Sequence, residues 1–200
     1  MIRIYYHVYG IDNVEEIIDE QLALLNTIKE PFKLTVGLSV SNESYDYNNL
    51  LGKLNPSIIK YNDNEFLTLN LIQQDDIEDD DYIFYLHTKG ASKLKSNLYE
   101  KESDWRKILN YYLIGKYEDV LKNLDGYNTF GYQLEELENG IDIYSGNFWW
   151  ATGKYVKTIN ADGVDKLDRY NAELKFIQNG IDWKPNYIKI KKLRKNMVLI

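Results

Sequence analysis

The chain reads as one α/β domain, a sandwich in which helices cover both faces of a mostly parallel central sheet. Two observations predict this. Short runs rich in Val, Ile, Tyr and Phe alternate with stretches whose apolar residues recur at helical spacing, which is the pattern of repeated strand–helix units. The 200 residues also contain no internal repeat and no Pro- or Ser-rich linker, so residues 1–200 are expected to share one core.

The elements follow in order. Ile2 to Val8 is β-branched and aromatic and stops at Tyr9-Gly10, which marks a first strand. Asp12 with Glu15 makes a capping box for a helix whose stripe is Val14, Ile17, Ile18, Gln21, Leu22 and Leu25, with Pro31 as its stop. Lys33 to Ser39 is a second strand, and Ser41 to Asn55 a polar loop with a helical piece around Leu50-Leu51. Ser57 to Lys60 reads as a short strand, and Glu65 to Gln74 as a helix with Phe66, Leu69 and Ile72 inward.

The acidic run Asp75 to Asp81 leads into a strand at Tyr82 to Leu86. A helix starts at Ser103 or Asp104 and contains Trp105, Ile108, Leu109, Tyr112 and Leu113, and Asp119 to Leu124 is a further helix. Tyr127 to Tyr132 is a strand, and Tyr144 to Tyr155 a loop running into a helix. Asp168 to Asn179 is a helix ended by Gly180, and Tyr187 to Ile190 a last strand.

Composition narrows the chemistry. There is no cysteine, so disulfides, thiolate metal sites and a cysteine nucleophile are out. No apolar run reaches the ~18–20 residues of a membrane span. The N-terminal residues turn polar too soon for a signal or transit peptide, which leads to the expectation of a cytoplasmic protein of the producing cell or an infected host. A net charge of −7 argues against wrapping nucleic acid, which needs a basic surface. The basic concentration is the tail, residues 184–200, and it reads as a solvated segment, with polyanion docking as its alternative.

In open α/β sheets ligands bind beyond the carboxyl ends of the strands. This rule gathers His7, Tyr9 and Gly10, Ser39 to Asn42, and His87 to Gly90 on one edge. A strand emptying into His87-Thr-Lys-Gly90 offers an imidazole, a hydroxyl, an ammonium and a closely approachable backbone, all suited to an anion. Asp79 and Asp81 spell Asp-x-Asp, the pattern by which many sugar-nucleotide transferases hold Mg²⁺ or Mn²⁺. Here they precede their strand and fall at the opposite edge, so a solvated acidic turn is the preferred reading.

Four segments carry a resemblance: His87-Thr-Lys-Gly90, Asp104-Trp105-Arg106, Ser145-Gly-Asn-Phe-Trp-Trp-Ala151 and Arg169-Tyr-Asn-Ala-Glu173. In that order the chain resembles a family of GT-A-fold glycosyltransferases of large DNA viruses and bacterial surface-polysaccharide loci, some of them similar to rhamnosyltransferases. The likeness runs from the first strand to about residue 180. It implies a single-domain GT-A-like fold and transfer of a sugar from a UDP- or dTDP-sugar donor to a hydroxyl of a glycan acceptor. The chain departs from the wider fold in lacking Asp-x-Asp at a strand end, so no metal is expected to be essential, with Mn²⁺ or Mg²⁺ left open.

The resemblance also implies roles. His87, Thr88, Lys89 and Gly90 would face the donor diphosphate or sugar, and His7, Tyr9 and Gly10 the nucleotide. Arg106, read as opening its helix, would reach an anion, with a surface pair to Glu102 as the plain alternative. Ser145, Gly146 and Asn147 would bond sugar hydroxyls, and one of Trp149 and Trp150 would stack on a sugar while the other packs in the core. Glu173 would be the base that deprotonates the acceptor, against a purely structural pair with Arg169. Asp142 and Asp168 are the next candidates. Two other classes remain: a nucleotide-sugar- or glycan-binding module without turnover, and a nucleotidyltransferase.

Overall fold

The computed structural model describes residues 1–11, 14–41, 46–93, 98–136, 142–162, 164–168, 170–174, 176–180 and 182–188. Its centre is β1 (Ile2–Gly10), buried along nearly its whole length, as an interior strand of a parallel sheet must be. β1 pairs in parallel with β2 (Phe32–Val40) on one side and β4 (Tyr82–His87) on the other. β2 continues in parallel to β3 (Ile58–Tyr61). The crossovers are α1 (Val14–Leu25), α2 (Asn48–Leu54) and α3 (Phe66–Gln74).

After β4 the chain makes a single 3-10 turn at Ala91–Lys93 and enters α4 (Tyr99–Leu113) and α5 (Tyr117–Asn123). Then come β5 (Thr129–Tyr132), a small antiparallel hairpin of β6 (Leu134–Glu136) and β7 (Asp142–Tyr144), and β8 (Trp149–Thr152). The short helices α6 (Gly153–Val156) and α7 (Tyr170–Leu174) precede β9 (Pro185–Ile188). The seven-stranded sheet runs β3-β2-β1-β4-β8-β5-β9. Only β8, of these seven, runs against its neighbours β4 and β5, while β9 lies parallel to β5.

Strand alternation sends successive side chains to opposite faces, and each face has its own core. Ile4, Tyr6 and Val8 of β1 join Phe84, Leu86 and Trp150 under α1, α2, α4 and α5. Tyr5, Ile83, Tyr85 and Trp149 join Phe66, Leu69 and Ile72 of α3, Tyr155 and Val156 of α6 and Ala172 of α7. The expected mixed α/β sandwich with helices on both faces is therefore present. No helix among the described residues is long and apolar enough to cross a membrane.

Several expectations need correction. Tyr144 to Tyr155 does run into a helix, α6 at Gly153, but not as a loop: a turn over residues 145–148 opens strand β8, and both tryptophans are fully buried on it. Trp150 stacks on Phe84 at 4.6 Å and donates to Leu113 O, while Trp149 stacks on Tyr85 at 5.3 Å. Neither ring is left for a sugar. α4 begins at Tyr99, about one turn before the expected start, and Glu100 and Glu102 in its first turn suit the positive end of the dipole. Arg106 is thus two turns inside the helix.

α1 ends at Leu25 well before Pro31, closed by Thr27, whose amide and hydroxyl both donate to Leu24 O. α7 covers only Tyr170–Leu174, and the chain turns at residues 176–178. The last strand starts two residues early, at Pro185. Asp12 of the capping box, Asn42, Arg169 and the tail from residue 189 lie outside the described residues.

The acidic run before β4 is a solvated turn only in part: Asp79 is exposed, but Asp81 is buried. Asp81 is buried and accepts from Arg3 Nε at 2.6 Å and from the Glu78 amide at 3.0 Å. Its carbonyl takes the Gly153 amide, and Asp79 pairs with Lys157 at 2.7 Å. These contacts clamp the entry of β4 to α6, at the edge of the sheet away from the carboxyl ends of the parallel strands.

Candidate functional site

Register decides what meets at the carboxyl edge. His7 of β1 pairs with His87 of β4, and Gly10 with Val40 of β2. Because β8 is antiparallel, its beginning lies at this same edge, with Trp149 opposite Tyr85. The turn Ser145-Gly146-Asn147 therefore arrives beside His87. It closes with the Asn147 amide donating to Tyr144 O, with Gly146 at φ 90° and Asn147 at φ 53°. A side chain at Gly146 would collide with the indole nitrogen of Trp105 at 2.7 Å and with Leu109 at 2.8 Å. Only glycine fits there.

This turn ties together three titratable residues. His87 Nε2 donates to Gly146 O at 3.0 Å, which fixes a proton on that nitrogen. The Gly146 amide donates to Glu173 Oε1 at 3.2 Å. Asn147 Nδ2 donates to Glu65 Oε2 at 2.6 Å, and Asn147 Oδ1 in turn accepts from the Trp149 indole. Glu65 also accepts from the Tyr85 hydroxyl at 2.8 Å and stands 4.0 Å from His87 Nδ1.

Burial alone would raise the Glu65 carboxyl, but the His87 imidazole and the bonds from Tyr85 and Asn147 outweigh it and hold it below its usual range. Burial, with Glu65 next to it, pushes the Tyr85 phenol well up, so it remains a donor. His7 is buried, and desolvation lowers it to about 4. It is neutral near pH 7, with Nδ1 3.0 Å from Thr68 Oγ1.

Two cavities open on this edge. The first, about 670 Å³, is lined by His7, Tyr9, Glu65, His87, Thr88, Lys89 and Gly90, with Asn62 to Asn64, Tyr170 and Glu173 across from them. The second, about 800 Å³, is lined by Trp105, Ile108, Ser145, Gly146 and Glu135, among others. Lys89, Glu102 and Glu173 belong to both. These three residues are common to the walls of the two spaces.

The predicted residues fall into three groups. His7, Tyr9, His87, Thr88, Lys89, Gly90 and Glu173 line the first cavity, and Ser145, Gly146, Lys89 and Glu173 the second. Thr88 serves the backbone as well, accepting from the Tyr9 amide at 2.9 Å. Gly10 continues the β1 ladder and lines neither cavity. Asn147 is buried and bonded to protein on both its amide atoms.

Arg106 is buried too, donating to Lys89 O at 2.9 Å, to Ser103 Oγ and to Glu20 at 3.1 Å. The anion it reaches is Glu20 of the protein itself, and it braces the Lys89-Gly90 turn, where Gly90 at φ 88° leaves it room. Asp168 accepts from the Tyr170 amide at the start of α7, and Asp142 lies in the β6–β7 hairpin; neither lines either of these two cavities.

Glu65 was missed. Its signal was present: Asn62-Asp-Asn-Glu65 lies between a strand and a helix, where the carboxyl-edge rule applies to the third strand as to the others. Glu102 and Trp105 also line the cleft without having been given a place in it.

Lys89 lies 3.5 Å from Glu102. Around it, Asp63, Glu65, Glu102 and Glu173 make the first cavity rich in carboxylates. Asp79 and Asp81 are committed to Lys157 and Arg3 at the far edge, so they do not fit a metal at the cleft. No group of three His, Asp or Glu suited to an ion occurs among the described residues. Comparison of the sequence with models of protein families and with curated proteins finds no match.

Proposed function

We propose that this chain is a glycosyltransferase that moves a sugar from a UDP- or dTDP-sugar to a hydroxyl of a glycan. The observation that carries the reading is the pair of cavities at the carboxyl edge sharing Lys89 and Glu173. A transferase needs two substrate spaces meeting at one reacting point. In this reading the donor occupies the first cavity, with Lys89 and His87 toward its diphosphate and Tyr9 toward the nucleoside. The acceptor occupies the second.

The acceptor oxygen attacks the anomeric carbon, and its proton passes to the Glu173 carboxylate. The bond from that carbon to the diphosphate oxygen breaks, and the nucleoside diphosphate leaves with the electron pair, its charge met by Lys89. The GT-A likeness of the motif order supports the same assignment, as does the mostly parallel sheet. No step is routed through a metal, because the Asp-x-Asp carboxylates are used elsewhere.

A second reading draws on a different observation. The carboxylate excess around Lys89 suits a neutral polyol better than a diphosphate, which favours a glycan-binding module without turnover. One experiment separates the two. The purified protein is incubated with a panel of UDP- and dTDP-sugars, with and without oligosaccharide acceptors, and released nucleoside diphosphate is measured. Acceptor-stimulated release is expected. Glycan binding with no release from any donor leaves the binding module, and release of pyrophosphate instead indicates nucleotidyl transfer.

A further inference from the structure

We propose that the second cavity seats an uncharged sugar ring of the acceptor against the indole of Trp105, and that its carboxylates exclude acidic sugars. The inference rests on the glycosyltransferase reading and names the acceptor class within it. With Trp149 and Trp150 both buried in the core, the cleft's aromatic platform has to come from elsewhere, and Trp105 is the tryptophan on a cavity wall.

Trp105 is half-buried on α4. Tyr132 meets it edge to face at 5.3 Å and 74°, and the Gly146 backbone abuts its Nε1 so closely that no side chain fits between. The ring is therefore held before any ligand arrives. Ile108, nearly one turn further along α4, extends the same wall. A fixed, partly exposed indole beside an aliphatic side chain is a prepared surface for the C–H face of a pyranose. The cavity, about 800 Å³, falls in the range of small-ligand sites.

The rim sets the charge. Glu100, Glu102, Asp104, Glu135 and Glu173 face two lysines, Lys89 and Lys101. Lys89 is already beside Glu102, and Asp104 lies 3.8 Å from Lys107. Carboxylates accept hydrogen bonds from sugar hydroxyls and repel a uronate, sulfate or phosphate. Glu173 stands where the two cavities join, so a hydroxyl of the seated ring would face the group that takes its proton.

The test uses the full chain and two kinds of probe. Methyl glycosides of glucose, galactose and N-acetylglucosamine, with methyl glucuronide as the acidic counterpart, report on the second cavity by saturation-transfer NMR. UDP reports on the first. At least one neutral glycoside should bind saturably and about fivefold or more tighter than the glucuronide. Trp105→Ala should weaken that binding about fivefold or more and Trp105→Phe less, with UDP binding unchanged in both. The pair Asp104→Lys and Glu135→Lys, both at the rim, should bring glucuronide binding up to that of the neutral sugar.

Glucuronide binding as tight as the best neutral glycoside, or neutral binding untouched by Trp105→Ala, overturns the proposal. So does the absence of neutral binding while UDP binds, and this outcome leaves the donor reading standing. Neutral binding that depends on Trp105 without any UDP binding has the opposite meaning: the cavity assignment holds and the transferase reading falls. Should Trp105→Ala fail to fold, the phenylalanine and lysine variants carry the same decision.

Discussion

Glu173 and Gly146 are joined by a hydrogen bond from the Gly146 amide to Glu173 Oε1 at 3.2 Å, across 27 residues of sequence. The bond holds a carboxylate of α7 on a wall common to both cavities. Glutamine at this position can keep the same bond but cannot take up a proton. In Glu173→Gln, turnover should therefore fall by roughly 10²-fold or more, within the range for general-base loss. Donor affinity should barely move and melting temperature should stay close to the parent. Near-normal turnover, measured as nucleoside diphosphate release, would remove Glu173 from the mechanism.

Lys89 is the cation that lines both cavities, and the proposed reading sets it against the donor's diphosphate. Lys89→Ala should weaken UDP-sugar binding by about 1.5–3 kcal/mol, the value of a charged hydrogen bond. Freeing Glu102 of its partner adds repulsion in the same direction. Calorimetry on the folded variant decides the matter; unchanged affinity would move the diphosphate away from the His87–Gly90 turn.

Asp79 and Asp81 should matter for stability and not for turnover. Asp81 is buried against Arg3, and removing one partner of a buried pair costs about 3–5 kcal/mol. Asp79 is exposed, so Asp79→Asn should be close to neutral. Burial alone would raise the Asp81 carboxyl, but the Glu78 amide and Arg3 hold it below 3.8. Its contribution is present above that value and is lost as pH falls through its depressed value, so Asp81→Asn should also flatten the acid limb of the stability curve. Loss of a Mn²⁺ stimulation in the Asp79→Asn, Asp81→Asn double variant would show that these residues hold metal after all.

His7 marks an earlier stage of the same acid limb. Desolvation lowers it from 6.5 to about 4, so below pH 6.5 the unfolded chain takes up a proton that the folded chain refuses. Stability is full above pH 6.5, falls as pH drops toward 4, and loses about 3 kcal/mol over that interval. His7→Gln should abolish this part of the slope. Denaturant melts of both proteins at pH 7, 5.5 and 4.5 read it directly, and parallel curves would show that His7 is protonated in the fold.

The parallel half of the sheet was legible because its strands are continuous apolar runs, and Tyr82 to Leu86 or Ile2 to Val8 admit few other readings. Strand β8 was not. It has four residues, follows a Ser-Gly-Asn turn, and owes its extended form to partners at Phe84 and Phe130, far away in sequence. The site followed the same division. Residues placed by the carboxyl-edge rule, such as His87 and Lys89, do line the cleft. Arg106 was misjudged because its use depends on Glu20, 86 residues earlier. Glu65 was overlooked because its place beside Asn147 needs the strand order as well as the strands.

The reversed strand inside the sheet has a consequence for synthesis. As the chain emerges from a ribosome, β1, β2, β3 and β4 can pair as soon as residue 87 is out. The free edge of β4, with Tyr82, Ile83, Phe84 and Tyr85, then waits for Trp149–Thr152, about sixty residues later. At roughly 5–20 residues per second this is an interval of several seconds. During it an apolar strand edge of one nascent chain is open to the same edge of another. Aggregation on overproduction should therefore be decided in that window, and slowing translation before residues 149–152 have emerged should worsen it while slowing it after they have emerged should not.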